Sequence, residues 1–419
     1  MKALRLGLMI GACALALPAF AADAPSNDAI LKTYADIALA GYSDALTKAQ
    51  ALDDAVTAFI ASPTDDTLKT ARQAYIDARP PYQQTEAFRF GNPVVDDWEG
   101  RVNSWPLDEG LMDYVDTASY GAESDENPLY TANVIGNKQI LIGGKEVDAT
   151  HLTPDFLSGT LQEAGGIEAN VATGYHAIEF LLWGQDLHGT GPGAGERPTT
   201  DYSLTACTHG NCDRRGEYLK SAVDLLVSDL KEMVGDWSEG GKALKAEQDA
   251  GITAILTGMG SLSYGELAGE RMKLGLLLHD PEEEHECFSD TTYLSLMNDG
   301  LGIQNVYLGK LKRIDGSVVQ GPSMSDLIAS KDPKLDTEIK GLLDTTMAKF
   351  EIMKERGDSV EKYDQMIAEG NTEGNKVVQD VIDALIAQTR GVERAVALLG
   401  LDVKVEGSDS LDNPDAVFQ

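Results

Sequence analysis

The chain has 419 residues and a formal net charge of -34, from 68 acidic and 34 basic side chains. This acidic excess repels phosphate backbones and therefore excludes nucleic acid as a partner. Hydrophobic residues make up 42% of the chain, enough for the cores of two or three domains. Beyond the N-terminal region, no segment approaches the ~18 uninterrupted apolar residues of a transmembrane span.

The N-terminal residues predict a secretion signal. Lys2 and Arg5 precede an apolar stretch, and residues 18–21 fit a small-x-small cleavage site. We therefore expect a signal peptide over residues 1–21 and export to the periplasm. The alternative, a lipoprotein signal ending at Cys13, is less favoured because the apolar run before that cysteine is short.

The first half of the chain predicts helices joined by irregular segments. Apolar residues recur at steps of three and four over residues 29–60. A polar cap at residues 62–66 then starts a second helix, which the prolines at 80–81 should break. Residues 90–106 are irregular, and a short apolar run at residues 139–147 predicts a small hairpin.

A strongly apolar helix is predicted over residues 165–183, and it carries the most informative motif. The segment GYHAIEFLLWG contains His176 and Glu179, whose spacing places both side chains on one helical face. Burying them without a partner would be costly, and a metal ion is one natural partner. Carboxylate-bridged metal bundles use the same spacing in reverse order. A core histidine satisfied by protein groups is the alternative.

Further ligands must come from elsewhere, because a metal site usually takes three or more protein ligands. Glu86 follows the proline break, and Asp108 and Glu109 follow a tryptophan-proline pair. We expect Glu86 and Asp108 to complete the metal shell and Glu109 to line the same cleft. The alternative is that these acids begin helices, where the helix dipole favours negative charge.

In the second half, Glu266, Arg271 and Asp290 are the expected residues of the binding cleft. Arg271 is suited to a buried acid or a bound anion, and a purely structural ion pair is the alternative. Either use requires a carboxylate or an anion within reach of the guanidinium.

The cysteines predict one disulfide. Cys207 and Cys212 flank a glycine and an asparagine that can form the tight loop such a bridge requires. Cys287 is then left over, either as a buried unpaired thiol or with a metal or redox role. Together with His279 and His285 it forms either a soft-metal cluster or part of a solvated acidic loop.

The order of elements repeats in the two halves, which predicts an internal duplication. We expect an all-α protein of two related four-helix-bundle-like domains, residues 22–200 and 201–419, with minor β-hairpin elements. The counterpart of the His-x-x-Glu segment falls near residues 346–352 and contains no histidine. One site is therefore expected, near the interface of the two domains.

The GxHxxE motif within residues 174–184 resembles the signature of the imelysin family. Residues 210–215, 265–272 and 285–290 resemble the iron-regulated protein A branch of that family. The resemblance implies an exported all-α protein of two related helical bundles. It also implies that His176 and Glu179 hold a metal ion, for which we favour iron, with zinc as the alternative.

Together with the predicted signal peptide and the His-x-x-Glu pair, this resemblance implies a periplasmic metal-binding protein of iron uptake. Its expected partners are a metal ion or an iron-bearing ligand and the iron-uptake components of the cell envelope, and we expect a monomer. A first alternative is a metal-dependent peptidase that uses zinc, with Glu86 as general base. A second is a binding module for haem or a siderophore, built from the loop of Trp98 and Trp105 together with Arg271.

Overall fold

The computed structural model describes residues 24–418. The predicted signal peptide over residues 1–21, and its alternative ending at Cys13, lie outside these described residues. Within them the protein is all-α with two small antiparallel hairpins, which confirms the predicted fold class. No helix in this range has both the length and the apolar character needed to cross a membrane.

The first half forms one group of packed helices. Its elements are α1 (Asn27–Ala61), α2 (Asp65–Gln83), α3 (Pro93–Glu99), α4 (Glu109–Met112), β1 (Gln139–Ile142), β2 (Lys145–Asp148), α5 (Pro154–Phe156), α6 (Gly174–Trp183), α7 (Cys212–Asp236) and α8 (Lys242–Ala250). Helices α1, α2, α6 and α7 pack together. Helix α7 belongs to this group although it lies beyond the predicted domain boundary at residue 200.

Local sequence explains where these helices begin and end. The Ser26 side chain accepts the Ala29 N–H at the start of α1, and Thr64 forms a capping box at the start of α2. Pro80 and Pro81 lie in the last turn of α2, which ends two residues later at Gln83. The double proline therefore ends the helix slightly later than its sequence predicts.

The helix predicted over residues 165–183 begins only at Gly174, so its predicted start is wrong. Gly165 and Gly166 have φ values of 75° and 76°, in the left-handed region that interrupts a right-handed helix. Residues 157–161 instead form a π-helical turn. The His-x-x-Glu motif consequently lies in the first turns of a short helix.

The second half forms the other group of helices. Its elements are α9 (Ile252–Ser261), a π-helical segment (Leu262–Lys273), α10 (Leu274–Leu278), α11 (Thr292–Leu308), β3 (Lys310–Lys312), β4 (Val318–Gln320), α12 (Met324–Lys331), α13 (Pro333–Ser359), α14 (Tyr363–Ile367), α15 (Thr372–Leu399) and α16 (Asp409–Asp412). Helices α11 and α15 pack on the π-helical segment, and α13 packs on both of these helices. Helix α11 also packs on α2. The hydrophobic core is continuous between the two halves. The internal duplication stays a prediction.

Small residues of the π-helical segment make room for the C-terminal part of the chain. A Cβ added at Gly269 would lie 2.3 Å from the Ser408 side chain, and one added at Gly265 would lie 2.9 Å from the Glu406 carbonyl oxygen. The wider turn of a π-helix also brings residues five apart onto one face. This places Arg271 against Glu266 at the interface of the two groups of helices.

Candidate metal centre

The candidate site is built around α6, whose ten residues are all buried. The helix begins where Gly174, with φ 83°, passes close to the backbone of Val102. A Cβ there would lie 2.4 Å from the Val102 carbonyl oxygen, and the same oxygen accepts the Tyr175 N–H at 2.8 Å. Glycine at the start of the motif is therefore required for this close approach.

His176 and Glu179 are in contact inside the protein. His176 Nδ1 lies 3.3 Å from Glu179 Oε2, and the two side chains are 1% and 0% exposed. Glu179 Oε1 accepts the backbone N–H of Ser289 at 2.9 Å, and Oε2 accepts the Tyr75 hydroxyl at 3.2 Å. Helix α6 is thereby joined both to α2 and to the loop between α10 and α11.

A second buried imidazole lies beside the first. The rings of His176 and His285 are 4.6 Å apart in an edge-to-face arrangement, and Trp105 contacts His285 at 5.4 Å. Among the described residues, neither His176 Nε2 nor His285 Nδ1 has a hydrogen-bond partner. The sequence allows His285 to belong either to a soft-metal cluster or to a solvated acidic loop. In the structure it lies next to His176 of the motif.

Burial, followed by the charge of the Arg79 guanidinium, lowers the pKa of His176 to about 3. Burial and the charge of Arg271 lower the pKa of His285 well below its ordinary value. Both rings are therefore neutral near pH 7, which is the form in which imidazole binds metals. Burial raises the pKa of Glu179 to about 7, despite the bonds from Ser289.

Two buried arginines surround the pair with carboxylates. Arg79 donates to Glu286 at 2.5 Å and to Asn103 at 2.8 Å. Arg271 makes three ion pairs, with Glu86 at 3.0 Å, Glu266 at 2.7 Å and Asp299 at 3.1 Å. Glu86, predicted as a metal ligand, thus pairs with Arg271 in the described structure. Arg271 therefore meets buried acids, and its role in ligand binding stays a prediction.

The arginine network borders a cavity of about 660 Å³ between the two groups of helices. His285, Trp105, Glu266 and Arg271 are among its lining residues. His285 also contacts His176, so this cavity adjoins the imidazole pair.

Asp108 and Glu109 line a different cavity of about 470 Å³, together with Trp105 and Cys287. Asp108 accepts the side-chain amide of Asn127. Burial, then the charge of Glu282, raises the pKa of Glu109 to about 8. No described contact joins these two acids to His176 or Glu179, and Trp105 lines both cavities. Their predicted roles at the site stay predictions.

The structure joins Cys207 and Cys212 in a disulfide with Cα atoms 6.0 Å apart. Cys287 is unpaired and partly buried. His279 Nδ1 contacts the Ile367 carbonyl oxygen at 2.6 Å. The residues of the predicted soft-metal cluster therefore have separate surroundings. The loop is exposed at Asp280 and Glu282 and buried from Glu284 to Glu286.

Several residues of the site had no recognisable signal in the sequence. Tyr75 and Arg79 come from α2 and donate to Glu179 and Glu286. Asp299 comes from α11 and accepts from Arg271. The patterns of both helices predict only packing. Trp98 is buried and donates to the Asp229 carbonyl oxygen at 3.2 Å, so it does not line a cleft for an organic ligand. Arg79 could have been identified as a site residue only from a motif that links it to the loop between α10 and α11.

The arginine pair at the start of α7 has a structural use. Arg214 donates to four backbone carbonyl oxygens, those of Val134, Ile135, Ala149 and Thr150. Arg215 donates to both carboxylate oxygens of Asp113, at 2.6 and 2.9 Å. These bonds hold the irregular part of the first half against α7.

Comparison with known proteins gives relatives along most of the chain. The Peptidase_M75 family model, Imelysin, matches residues 38–392. Iron-regulated protein A of Synechococcus elongatus is 31% identical over 87 residues, which are 20% of this chain and 24% of that protein. The match therefore spans about a quarter of that relative's length.

Two solved structures share the fold. One from Parabacteroides distasonis, described as an iron-regulated protein A precursor, has a TM-score of 0.63 at 20% identity and covers 91% of this chain and 98% of its own. An imelysin-like protein from Psychrobacter arcticum has a TM-score of 0.57 at 16% identity, with the same coverage of 91% and 98%. At these identities the likeness concerns the fold alone.

Proposed function

This chain belongs to the imelysin family, and we propose that it is an exported metal-binding protein of iron uptake with His176 and Glu179 as metal ligands. The proposal rests on one observation above all. A buried imidazole with a free ring nitrogen contacts a buried carboxylate, and a second neutral imidazole lies 4.6 Å away. Nitrogen and oxygen donors of this kind suit ferrous iron and zinc.

The charges around the pair favour a cation as the occupant. Glu286 Oε2 and Asp299 Oδ1 are buried and lack hydrogen-bond partners among the described residues. Arg79 and Arg271 compensate part of the negative charge, and the two unpartnered oxygens remain available to a cation.

The iron-related part of the proposal draws on the relatives. The matched segment of Synechococcus elongatus belongs to a protein named for iron regulation. Export to the periplasm, envelope iron-uptake partners and the choice of iron over zinc are parts of the same proposal. They go together because an exported iron-binding protein meets its ion outside the cytoplasm.

Burial of the pair supports binding over peptide hydrolysis. A metallopeptidase exposes its metal to an extended substrate backbone, whereas His176 and Glu179 are 1% and 0% exposed. Incubation with an unfolded polypeptide, with and without chelator, separates the two functions. Chelator-sensitive cleavage that disappears in His176→Gln would identify the enzyme instead.

The binding test compares buried and exposed histidines. Anaerobic titration with Fe²⁺, and in parallel with Zn²⁺, should show that His176→Gln/Glu179→Gln loses about one equivalent of metal relative to the unchanged protein. His151→Gln is the matched control, because the His151 side chain is 78% exposed. Equal metal content in the double variant and in the unchanged protein would refute the assignment of the ligands.

A further inference from the structure

The loop between α10 and α11 carries residues that face two different places. His285 and Ser289 contact the His176–Glu179 pair. Glu284 and Asp290, from the same loop, turn instead toward Asp364 in α14. One atom of each of these three carboxylates lies within 4.8 Å of the others.

The three carboxylates are buried and largely unpartnered. Glu284, Asp290 and Asp364 are 1%, 4% and 1% exposed. Glu284 Oε1, Asp290 Oδ1 and both oxygens of Asp364 lack a hydrogen-bond partner among the described residues. Since a buried carboxylate without a partner is costly and three adjacent ones repel each other, the arrangement calls for a positive ligand.

The surrounding charges do not supply that ligand. Lys362 acts on Asp290, but its ammonium lies over the Tyr293 ring at 5.0 Å and donates to the Tyr293 hydroxyl at 3.3 Å. The other charged groups that act on it are acidic, namely Asp186, Glu179 and Glu361. No ion pair within the described chain neutralises the three carboxylates.

The backbone holds two of the carboxylates firmly in place. Asp290 has φ 56°, in the left-handed region that a residue with a side chain adopts at a cost. Ser289 and Thr291, on either side of it, share a hydroxyl contact at 2.7 Å, and the Glu286 N–H donates to Thr292 at 2.7 Å. These contacts hold the loop on either side of Asp290.

We propose that Glu284, Asp290 and Asp364 form a second metal site, separate from the His176–Glu179 pair, that binds a hard cation through oxygen atoms alone. Three carboxylates and no nitrogen or sulfur donor are the ligands that Ca²⁺, Mn²⁺ and Fe³⁺ prefer, whereas Zn²⁺ favours the imidazoles of the first site. The two sites therefore differ in the chemistry of the ion that they select.

Mn²⁺ is a suitable probe, because its free form gives a paramagnetic resonance signal that bound ions lose. The titration is done in about 0.2 M salt, which screens the many surface acids. The unchanged protein should bind Mn²⁺ at this site, and Asp364→Asn should weaken that binding at least tenfold. Asp280→Asn is the matched control, because it removes an exposed acid from the same loop.

Crystals soaked in Mn²⁺ test the location independently of affinity. An anomalous peak among the three carboxylates in the unchanged protein and in His176→Gln/Glu179→Gln, but not in Asp364→Asn, would support the proposal. Mn²⁺ found only at His176 or at surface acids, or equal affinity in Asp364→Asn and the unchanged protein, would overturn it. Circular dichroism of the isosteric Asp364→Asn variant establishes that it is folded.

Discussion

Breaking the Arg79–Glu286 pair tests the electrostatic arrangement of the candidate site. Both side chains are buried, at 2% and 0% exposure, and their charged atoms are 2.5 Å apart. At an effective dielectric constant of about 20, the attraction at this distance is about 7 kcal/mol. Much of it is offset by the desolvation of both ions, which costs several kcal/mol for each.

Arg79→Met removes one partner and leaves Glu286 buried with an uncompensated charge. We expect the free energy of unfolding to fall by about 3–5 kcal/mol at pH 8. The variant Arg79→Met/Glu286→Leu should recover most of this loss, because no charge then remains buried. Urea unfolding in the presence of a chelator measures all four members of the cycle without a contribution from bound metal.

The coupling between the two substitutions is the decisive quantity, because their effects on the free energy of unfolding add only if the two side chains do not interact. The reasoning would be refuted by a penalty below about 1 kcal/mol at pH 8, or by additive effects of the two substitutions.

Two further predictions concern stability away from the site. Burial raises the pKa of Glu247 from 4.5 to about 8, so the stability that its protonated form provides at low pH is lost as the pH rises toward 8. Relative to the unchanged protein, the free energy of unfolding of Glu247→Gln should therefore rise by on the order of 3 kcal/mol as the pH increases from about 5 to about 9. Urea unfolding measures this, and parallel pH profiles of the two proteins would contradict it. Gly269→Ala should destabilise the protein by about 1–3 kcal/mol, because its Cβ would meet Ser408 at 2.3 Å. Gly235 lies in a helix with nothing within 4 Å of an added Cβ. Gly235→Ala should therefore stabilise the protein by up to about 1 kcal/mol in thermal unfolding. Lower stability in both variants would contradict the packing argument.

Periodic patterns predicted the helical fold because the spacing of the apolar residues that bury one helical face is visible within each short stretch of sequence. The apolar spacing over residues 29–60 matches α1 closely, whereas the helix predicted from residue 165 was interrupted by Gly165 and Gly166 in the left-handed region. Glycine permits that conformation without requiring it, so the interruption could not be read from the sequence.

The surroundings of the motif were less predictable, because they depend on contacts between distant parts of the chain. Glu86 meets Arg271, which is 185 residues away, and Arg79 meets Glu286, which is 207 residues away. A single sequence shows which acids exist but not which cation each one faces. Asp108 and Glu109 follow a tryptophan-proline pair in the sequence, yet they line another cavity.

The net charge of the chain does not by itself indicate a metal site, since solvated surface acids carry most of it without needing a ligand. The informative acids are those buried with oxygens that lack a partner. Among the described residues, most of these lie around the loop between α10 and α11: Glu284, Glu286, Asp290, Asp299 and Asp364. Glu247 is the exception elsewhere. Buried carboxylates without partners lower the stability of the protein, wherever they lie. Their concentration where the two groups of helices meet is what the binding of cations at that interface requires.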